Sequence, residues 1–210
     1  MNSSLKKPFN VLDKAKSESM SDKDFATFNR VEKRMIAASK TRMNGFMAQF
    51  RADASRMTFM QLATEKHSSK RLGNFLRADG HPRPAAKWEA HHIISGSSPL
   101  AMSARAILAD EDIQIRIDDP DNGCWMPKTK ADARPTIYPN AIGHNRIHRK
   151  LYYLWIQNSI ALMATPGQVR AFLNTVRTQL LQGNIKPEMQ LQQEIDEIEY
   201  ISWLKKSRSL

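Results

Sequence analysis

The sequence predicts a predominantly helical α+β fold that contains one small antiparallel β-hairpin. Several long stretches repeat apolar residues at three- and four-residue steps, as helices with one buried face do. Two short apolar segments, residues 90–94 ("AHHII") and 122–127 ("NGCWMP"), have the composition of strands. We therefore expect these two segments to pair with each other and helices to surround them.

The predicted helices begin near the start of the chain. A long helix covers residues 21–65 and begins at the capping sequence "SDKD". Its apolar stripe consists of Met43, Phe46, Met47, Phe50, Ala54 and Met57. A short helix in "SSKRLGNFLRADG" is closed by Gly80, and the prolines of "HPRP" then impose an extended passage toward Trp88. A further helix, "SPLAMSARAILADED", and the alternating segment "IQIRI" lie between the two strands.

Two more helices are predicted after a loop rich in Pro and Lys. One spans "NAIGHNRIHRKLYYLWIQNSIALM" and carries His144 and His148 near its start, on one face. The other has the clearest end signals in the chain. Thr165 is its cap, Gln168 completes a capping box, and Gly183 ends it.

The charge of the chain indicates a polyanionic partner. The 210 residues include 32 Lys and Arg against 21 Asp and Glu, which gives a formal net charge of +11. Residues 187–210 form an acidic tail, so the positive excess lies in the first 186 residues. Such a charge favours nucleic acid over a neutral small molecule. The lone cysteine, Cys124, excludes an internal disulfide and a four-thiolate zinc site, so a bound metal must be held by His, Asp or Glu.

Four of the six histidines fall into two pairs with chemical meaning. On a helix, His144 and His148 would have Cβ atoms roughly 5 to 6 Å apart and could share one divalent ion, although a third ligand is still needed. His91 and His92 are consecutive strand residues and point to opposite sides. They suit a division of labour in which one imidazole completes the metal site and the other accepts a proton from water.

The order of these motifs resembles a nuclease family. "AHH", then "NG" before an apolar strand, then "H-x-x-x-H" is similar to the AHH branch of the HNH/endonuclease VII superfamily, also called ββα-metal or His-Me finger nucleases. The lead-in "LGNFLRADGHPRPAAKWEAHHI" resembles that branch as well, and the likeness covers residues 70–155. It implies a ββα-metal core, a hairpin followed by a metal-binding helix. The Cys-x-x-Cys pairs of zinc-stapled members are absent from the sequence.

The resemblance also implies a role for each motif residue. His91, His144 and His148 would be metal ligands and His92 the general base, an arrangement similar to that of the DNase colicins. Asn122 would orient the loop between strand and helix through hydrogen bonds to the backbone. We accordingly divide the chain into an N-terminal helical region (1–69), a nuclease core (70–164), and C-terminal helices with an acidic tail (165–210).

The predicted cofactor is one divalent metal ion. Magnesium is favoured by its abundance in cells, whereas imidazole ligands favour zinc or nickel, and manganese is a further alternative. The predicted substrate is double-stranded DNA, because a general base that activates water needs no 2′-hydroxyl. Its backbone would be contacted by Arg134, Arg146, Arg149 and Lys150, whose alternative interpretation is ordinary surface charge.

Three functions follow from these expectations. The first is a largely non-specific DNA endonuclease that acts as an antibacterial toxin, with an immunity protein and a secretion-system adaptor as partners and type VI secretion as a route. The second is a housekeeping or phage-linked HNH endonuclease, and the third a non-enzymatic, basic DNA-binding protein. No segment resembles a secretory signal or a membrane span, so we expect a cytoplasmic protein in the producing cell, delivered, if at all, without a Sec signal and without a membrane partner.

Overall fold

The computed structural model of the chain describes residues 21–134 and 136–190. The chain divides into two compact units, one ending at Met43 and the other beginning at Asn44, and the second unit contains both strands and all four motif histidines. The α-helices are α1 (Asp22–Ala52), α2 (Phe59–Ala63), α3 (Ser69–Ala78), α4 (Met102–Ala109), α5 (Lys150–Ile160) and α6 (Pro166–Gln182). Among the described residues, no helix is long and apolar enough to cross a lipid bilayer.

The two predicted strands form the predicted hairpin. Strand β1 (Trp88–His92) pairs antiparallel with β2 (Gly123–Pro127), and His91 lies opposite Cys124 while His92 lies opposite Gly123. Because side chains alternate across a sheet, His91 shares one face with Cys124 and His92 shares the other with Ala90. The prediction of a mostly helical α+β fold with one small sheet is therefore confirmed.

Apolar clusters cover both faces of the hairpin. Cys124 and Met126 belong to the larger cluster, which also contains Ile156 of α5 and Leu173 of α6. On the other face, Trp88, Ala90 and Trp125 pack with Leu72 and Leu76 of α3. The alternating segment "IQIRI" forms no strand among the described residues, but Ile113, Ile115 and Ile117 are all buried in the larger cluster. The hairpin is thus held between α3 on one side and α5 and α6 on the other.

The prediction of one helix over residues 21–65 is wrong. Helix α1 ends at Ala52, and Met57 has an extended backbone with φ −93° and ψ 142°. Thr58 then starts α2 with its own capping box, in which its hydroxyl accepts from the backbone N–H of Gln61. Because Thr58 caps the start of a new helix, α1 does not continue through it. Of the predicted stripe, Met47, Phe50 and Ala54 are buried, whereas Phe46 is exposed.

The start of the helix that follows β2 was also predicted wrongly. Residues His144–Arg146 form a 3₁₀ turn, Arg149 is extended, and α5 begins only at Lys150. His144 and His148 are therefore not on a helical face. By contrast, α6 begins and ends as predicted, with a capping box at Thr165 and a left-handed Gly183 at its end. Strong local end signals were sufficient for α6 and lacking for α5.

Candidate metal centre

Three imidazoles from separate segments converge beside the hairpin. His91 lies on β1, His144 in the 3₁₀ turn, and His148 in the link before α5. One ring nitrogen of each lies within 4.8 Å of the others, and the Nε2 atoms of His144 and His148 are 3.0 Å apart. The ring centroid of His91 is 5.0 Å from that of His144 and 5.3 Å from that of His148. The cluster thus presents three nitrogen donors toward one point.

The position of His91 tests whether these residues fit a cation. Its side chain is buried, and its Nε2 atom has no hydrogen-bond partner among the described residues. Buried polar atoms are nearly always paired, so an orphaned nitrogen on a ring that lies against two other imidazoles fits a bound cation as its partner. His144 keeps 22% of its side chain exposed. The cluster is therefore closed on the hairpin side and open to solvent on the other.

The protonation states suit metal binding. Burial lowers the pKa of His91 well below its ordinary value, and the neighbouring His144 and His148 lower it further. Burial also lowers the pKa of His148, as do His144 and Arg149. A depressed pKa keeps an imidazole neutral, and neutral imidazole is the form that ligates a metal.

Two residues that the sequence analysis missed contact the second ring nitrogens of two candidate ligands. Glu89 Oε2 lies 2.7 Å from His144 Nδ1, and the Tyr153 hydroxyl lies 2.8 Å from His148 Nδ1. Metal-binding histidines usually bond their second ring nitrogen in this way, which sets the tautomer and turns the other nitrogen toward the ion. Glu89 carried a usable signal, because it lies two residues before His91 and so on the same face of β1. Tyr153 carried none, because its position depends on where α5 begins.

The donor set defines the chemistry that the cluster can support. Three imidazoles suit zinc, nickel, copper or iron better than they suit calcium. Sites with three protein ligands and an open side leave room for water or for a substrate oxygen, which is the arrangement of catalytic rather than structural sites. The geometry therefore fits a metal site that keeps a position open for water or substrate.

Comparison with known families agrees with this geometry. Residues 72–181 match a nuclease family of the HNH/ENDO VII superfamily with conserved AHH. The chain belongs to the AHH nuclease family. No curated protein and no solved structure matches it. The match includes most of α3, the hairpin, α4, α5 and nearly all of α6, so in this AHH nuclease the family region ends at residue 181.

The fourth motif histidine of this AHH nuclease is not one of the three clustered imidazoles. His92 points to the opposite face of β1, where its Nε2 is 2.6 Å from Asp118 Oδ1 and its ring centroid is 5.1 Å from that of His67. Its side chain is only 6% exposed. We expected this ring to be unengaged beside the metal ligands. Instead it forms a buried pair with a carboxylate, so only its Nδ1 could take up a proton.

Asp118 is a further functional residue that sequence reasoning missed. It is fully buried, and it also accepts from the Ser68 amide and from Arg71 Nε. Burial by itself raises the pKa of Asp118, but the bonds from His92 and Ser68 and the charge of Arg71 outweigh it and lower the pKa. Asp118 is thus ionised at neutral pH. No spacing rule links it to His92, which lies 26 residues earlier in the chain.

Asn122 joins two stretches of backbone in the connection between the strands. Its Oδ1 accepts from the Ile94 amide, and its Nδ2 donates to the carbonyls of Ile94 and Ile117. These bonds hold the chain where it leaves β1 against the chain that enters β2. Asn122 is fully buried and contacts no metal-binding histidine in these bonds. Its geometry is that of a positioning residue.

The predicted backbone contacts are split between two segments. Arg146, Arg149 and Lys150 belong to the segment that carries His148, whereas Arg134 lies at the end of the separate turn Lys130–Ala133. Arg134, Arg146 and Lys150 are exposed, and Arg149 is half-buried. Their contact with DNA stays a prediction.

The remaining candidate groups take no part in the cluster. His81 Nε2 lies 2.9 Å from Arg177 Nη1, in a separate contact network. Cys124 is buried in the larger apolar cluster, and burial raises the pKa of its thiol to about 12. A thiol with that pKa is not a nucleophile at neutral pH, so Cys124 is a core residue.

Proposed function

We propose that this AHH nuclease is a metal-dependent endonuclease that hydrolyses phosphodiester bonds of DNA with little sequence preference. The observation that carries the proposal is the convergence of His91, His144 and His148, with the buried Nε2 of His91 lacking a partner among the described residues. Nothing in the chain's motifs reads base edges, so we expect the affinity to come from the phosphate backbone and to fall steeply with salt.

The proposed division of labour uses both faces of β1. A bound dication would act as a Lewis acid that stabilises negative charge on phosphoryl and leaving oxygens. His91, His144 and His148 would hold it, and Glu89 and Tyr153 would keep the ligand rings oriented.

His92 is proposed to accept the proton of the attacking water through Nδ1. Because its Nε2 faces Asp118, the ring keeps one tautomer, and the ionised carboxylate stabilises the imidazolium that forms. Hydrolysis by this route leaves a 5′-phosphate and a 3′-hydroxyl. Asn122 supports the step indirectly, because it ties the backbone just after His92 to the backbone just before Asp118.

The proposed ion in cells is magnesium, because it is abundant and tolerates few protein ligands beside water and phosphate oxygens. Zinc, nickel or manganese would bind the three imidazoles more tightly. We therefore expect affinity and cleavage rate to rank these ions differently. Arg134, Arg146, Arg149 and Lys150 are proposed to contact the DNA backbone on the side of the second histidine pair.

The proposed biological role is that of an antibacterial toxin, delivered by a specialised secretion system and neutralised by an immunity protein. The resemblance to AHH nucleases and the net charge of +11, which suits an acidic inhibitor as well as DNA, support it. Expression of the chain alone in a bacterial cytoplasm tests the role. Growth arrest with degraded chromosomal DNA is expected, and unimpaired growth with intact DNA would instead favour a housekeeping or phage-linked nuclease.

The proposed activity is tested with purified protein and supercoiled plasmid. We expect nicking with magnesium or manganese, and its loss with a chelator or in His148→Ala. His81→Gln is the matched control, because it removes a histidine outside the cluster. Nicking that persists in the chelator and in His148→Ala would refute the metal mechanism. Binding without cleavage at any ion concentration would favour a non-enzymatic DNA-binding protein.

A further inference from the structure

A basic cleft lies beside the metal centre and is separate from the segment that carries the predicted backbone contacts. It has a volume of about 430 Å³ and lies between α3 and the edge of β1. We call it the α3 cleft. Its polar lining consists mainly of Lys70, Asn74 and Arg77 from α3, Arg83 and Glu89 from the other side, and His144 at the metal centre. His144, one of the residues that line the cleft, is therefore also a proposed metal ligand.

Two guanidinium groups of the α3 cleft are held in place by an aromatic ring. Arg77 and Arg83 lie with their Cζ atoms 5.2 Å and 5.6 Å from the ring centroid of Trp125. Arg83 also donates from Nε to the Trp88 carbonyl and from Nη2 to the Ala86 carbonyl, each at 2.6 Å. Stacking on the indole holds a guanidinium in place, and those of its N–H groups that make no other hydrogen bond can donate to phosphate oxygens.

Within the part of the chain that the structure describes, the positive charge of the α3 cleft is not neutralised by ion pairs. Elsewhere in this unit, several arginines form ion pairs with buried or half-buried carboxylates: Arg51, Arg71, Arg116 and Arg170. Over residues 21–134 and 136–190, no carboxylate lies within ion-pair distance of Lys70, Arg77 or Arg83, all of which are exposed. The one acid in the lining, Glu89, is engaged by His144.

We propose that the α3 cleft binds the sugar–phosphate backbone of the strand that is cut. Lys70, Arg77 and Arg83 would contact its phosphates on one side of the scissile bond, and His144 connects the cleft to the metal centre. This proposal rests on the proposed nuclease function and deepens it. It assigns the main contacts to α3, whereas the sequence pattern assigned them to residues 134–150. Backbone contact explains the lack of base-reading groups, since phosphates carry no sequence information.

The test measures binding in the absence of cleavage. A fluorescent 20-base-pair duplex is titrated with the full chain in chelator at several salt concentrations. The double variant Lys70→Gln/Arg77→Gln should bind roughly tenfold more weakly, and the slope of log K against log salt should shrink by about 1.8, because each lost phosphate contact contributes about 0.9. The matched control, Lys33→Gln/Arg34→Gln, removes the same charge from exposed positions of α1. It should keep the wild-type slope.

The outcomes separate this proposal from the proposed function. If Lys70→Gln/Arg77→Gln binds the duplex with the wild-type affinity and slope, the α3 cleft does not bind the DNA backbone, even if wild type still nicks plasmid. Wild type that binds the duplex with the expected slope but cleaves no plasmid with any ion would overturn the nuclease function and leave the cleft standing. The single variant Arg77→Lys keeps the positive charge and should therefore keep most of the wild-type slope. If the double variant does not fold, Lys70→Gln alone should reduce the slope by about 0.9.

Discussion

The Nε2 atoms of His144 and His148 lie 3.0 Å apart although neither residue is on an α-helix. A 3₁₀ turn and an extended link bring the rings together, and His91 approaches from β1. Each Nδ1 already has a partner, Glu89 or Tyr153. Two nitrogens bound to one tetrahedral ion lie roughly 3.3 Å apart, so the spacing is close to that of a shared cation.

Removal of one of these ligands should abolish metal binding. In His148→Ala we expect zinc affinity, measured by calorimetry, to fall by at least about 100-fold, because two nitrogens hold an ion far more weakly than three. Plasmid nicking should fall with it. His81→Gln should bind zinc as wild type does, since His81 contacts Arg177 and not the cluster. Equal zinc affinity in the two variants would contradict the assigned site.

Removal of the carboxylate behind His144 should weaken the site without destroying it. Glu89→Ala takes away the acceptor that orients the ring, and such outer contacts are worth roughly 10- to 100-fold in metal affinity or activity. Calorimetry and nicking rates measure both. Glu111→Ala, a change at an exposed acid outside the site, is the control. If both variants bind zinc equally well, Glu89 has no orienting role.

The role assigned to His92 concerns DNA cleavage and not metal binding. His92→Ala should retain zinc affinity but lose cleavage by roughly 10²- to 10⁴-fold, the usual contribution of a general base. Asp118→Asn should also lower cleavage, because the amide no longer stabilises the protonated ring and cannot accept from both His92 and Arg71 as the carboxylate does. Both are measured as kcat at saturating plasmid. Full activity in His92→Ala would assign the base to another group.

A buried ion pair outside the site should control acid stability. Burial by itself raises the pKa of Asp119, but bonds and charges from Arg51 and Arg170 outweigh it and lower the pKa. Because the folded pKa lies below the unfolded value of about 3.9, the contribution to stability is complete above that pH and is lost as pH falls through the folded pKa.

Asp119→Ala should therefore lower the free energy of unfolding near pH 7 by about 1 to 3 kcal/mol, because it removes a buried carboxylate that accepts from Arg51 and Arg170, which keep Asp121 as a partner. The difference from wild type should shrink toward pH 2. Urea unfolding across that range measures it. Asp112→Ala, at an exposed position, should change little at any pH. A constant loss from Asp119→Ala at every pH would show that packing and not charge is responsible.

Local rules in the sequence determined much of this fold. The strand around "AHH" and the capping box at Thr165 depend on neighbours within a few residues. The capping box lies where it was predicted, and the strand lies two residues earlier, at Trp88–His92. The alternation of strand side chains is equally local, and it is sufficient to place His91 and His92 on opposite faces of β1. The order of the motifs was enough to identify the nuclease family.

Only the tertiary structure determined which distant side chains contact the motif histidines. Glu89 meets His144 across 55 residues, and Asp118 meets His92 across 26, so no local spacing could reveal either contact, although strand alternation does place Glu89 on the His91 face of β1. The same holds for the start of α5 at Lys150, because the backbone before it follows the contacts of His144 and His148 and not the helical pattern of the sequence. Sequence periodicity reports which side chains prefer burial. Which distant side chains meet depends on the packing of whole elements, which places α3, β1 and the link before α5 around one centre.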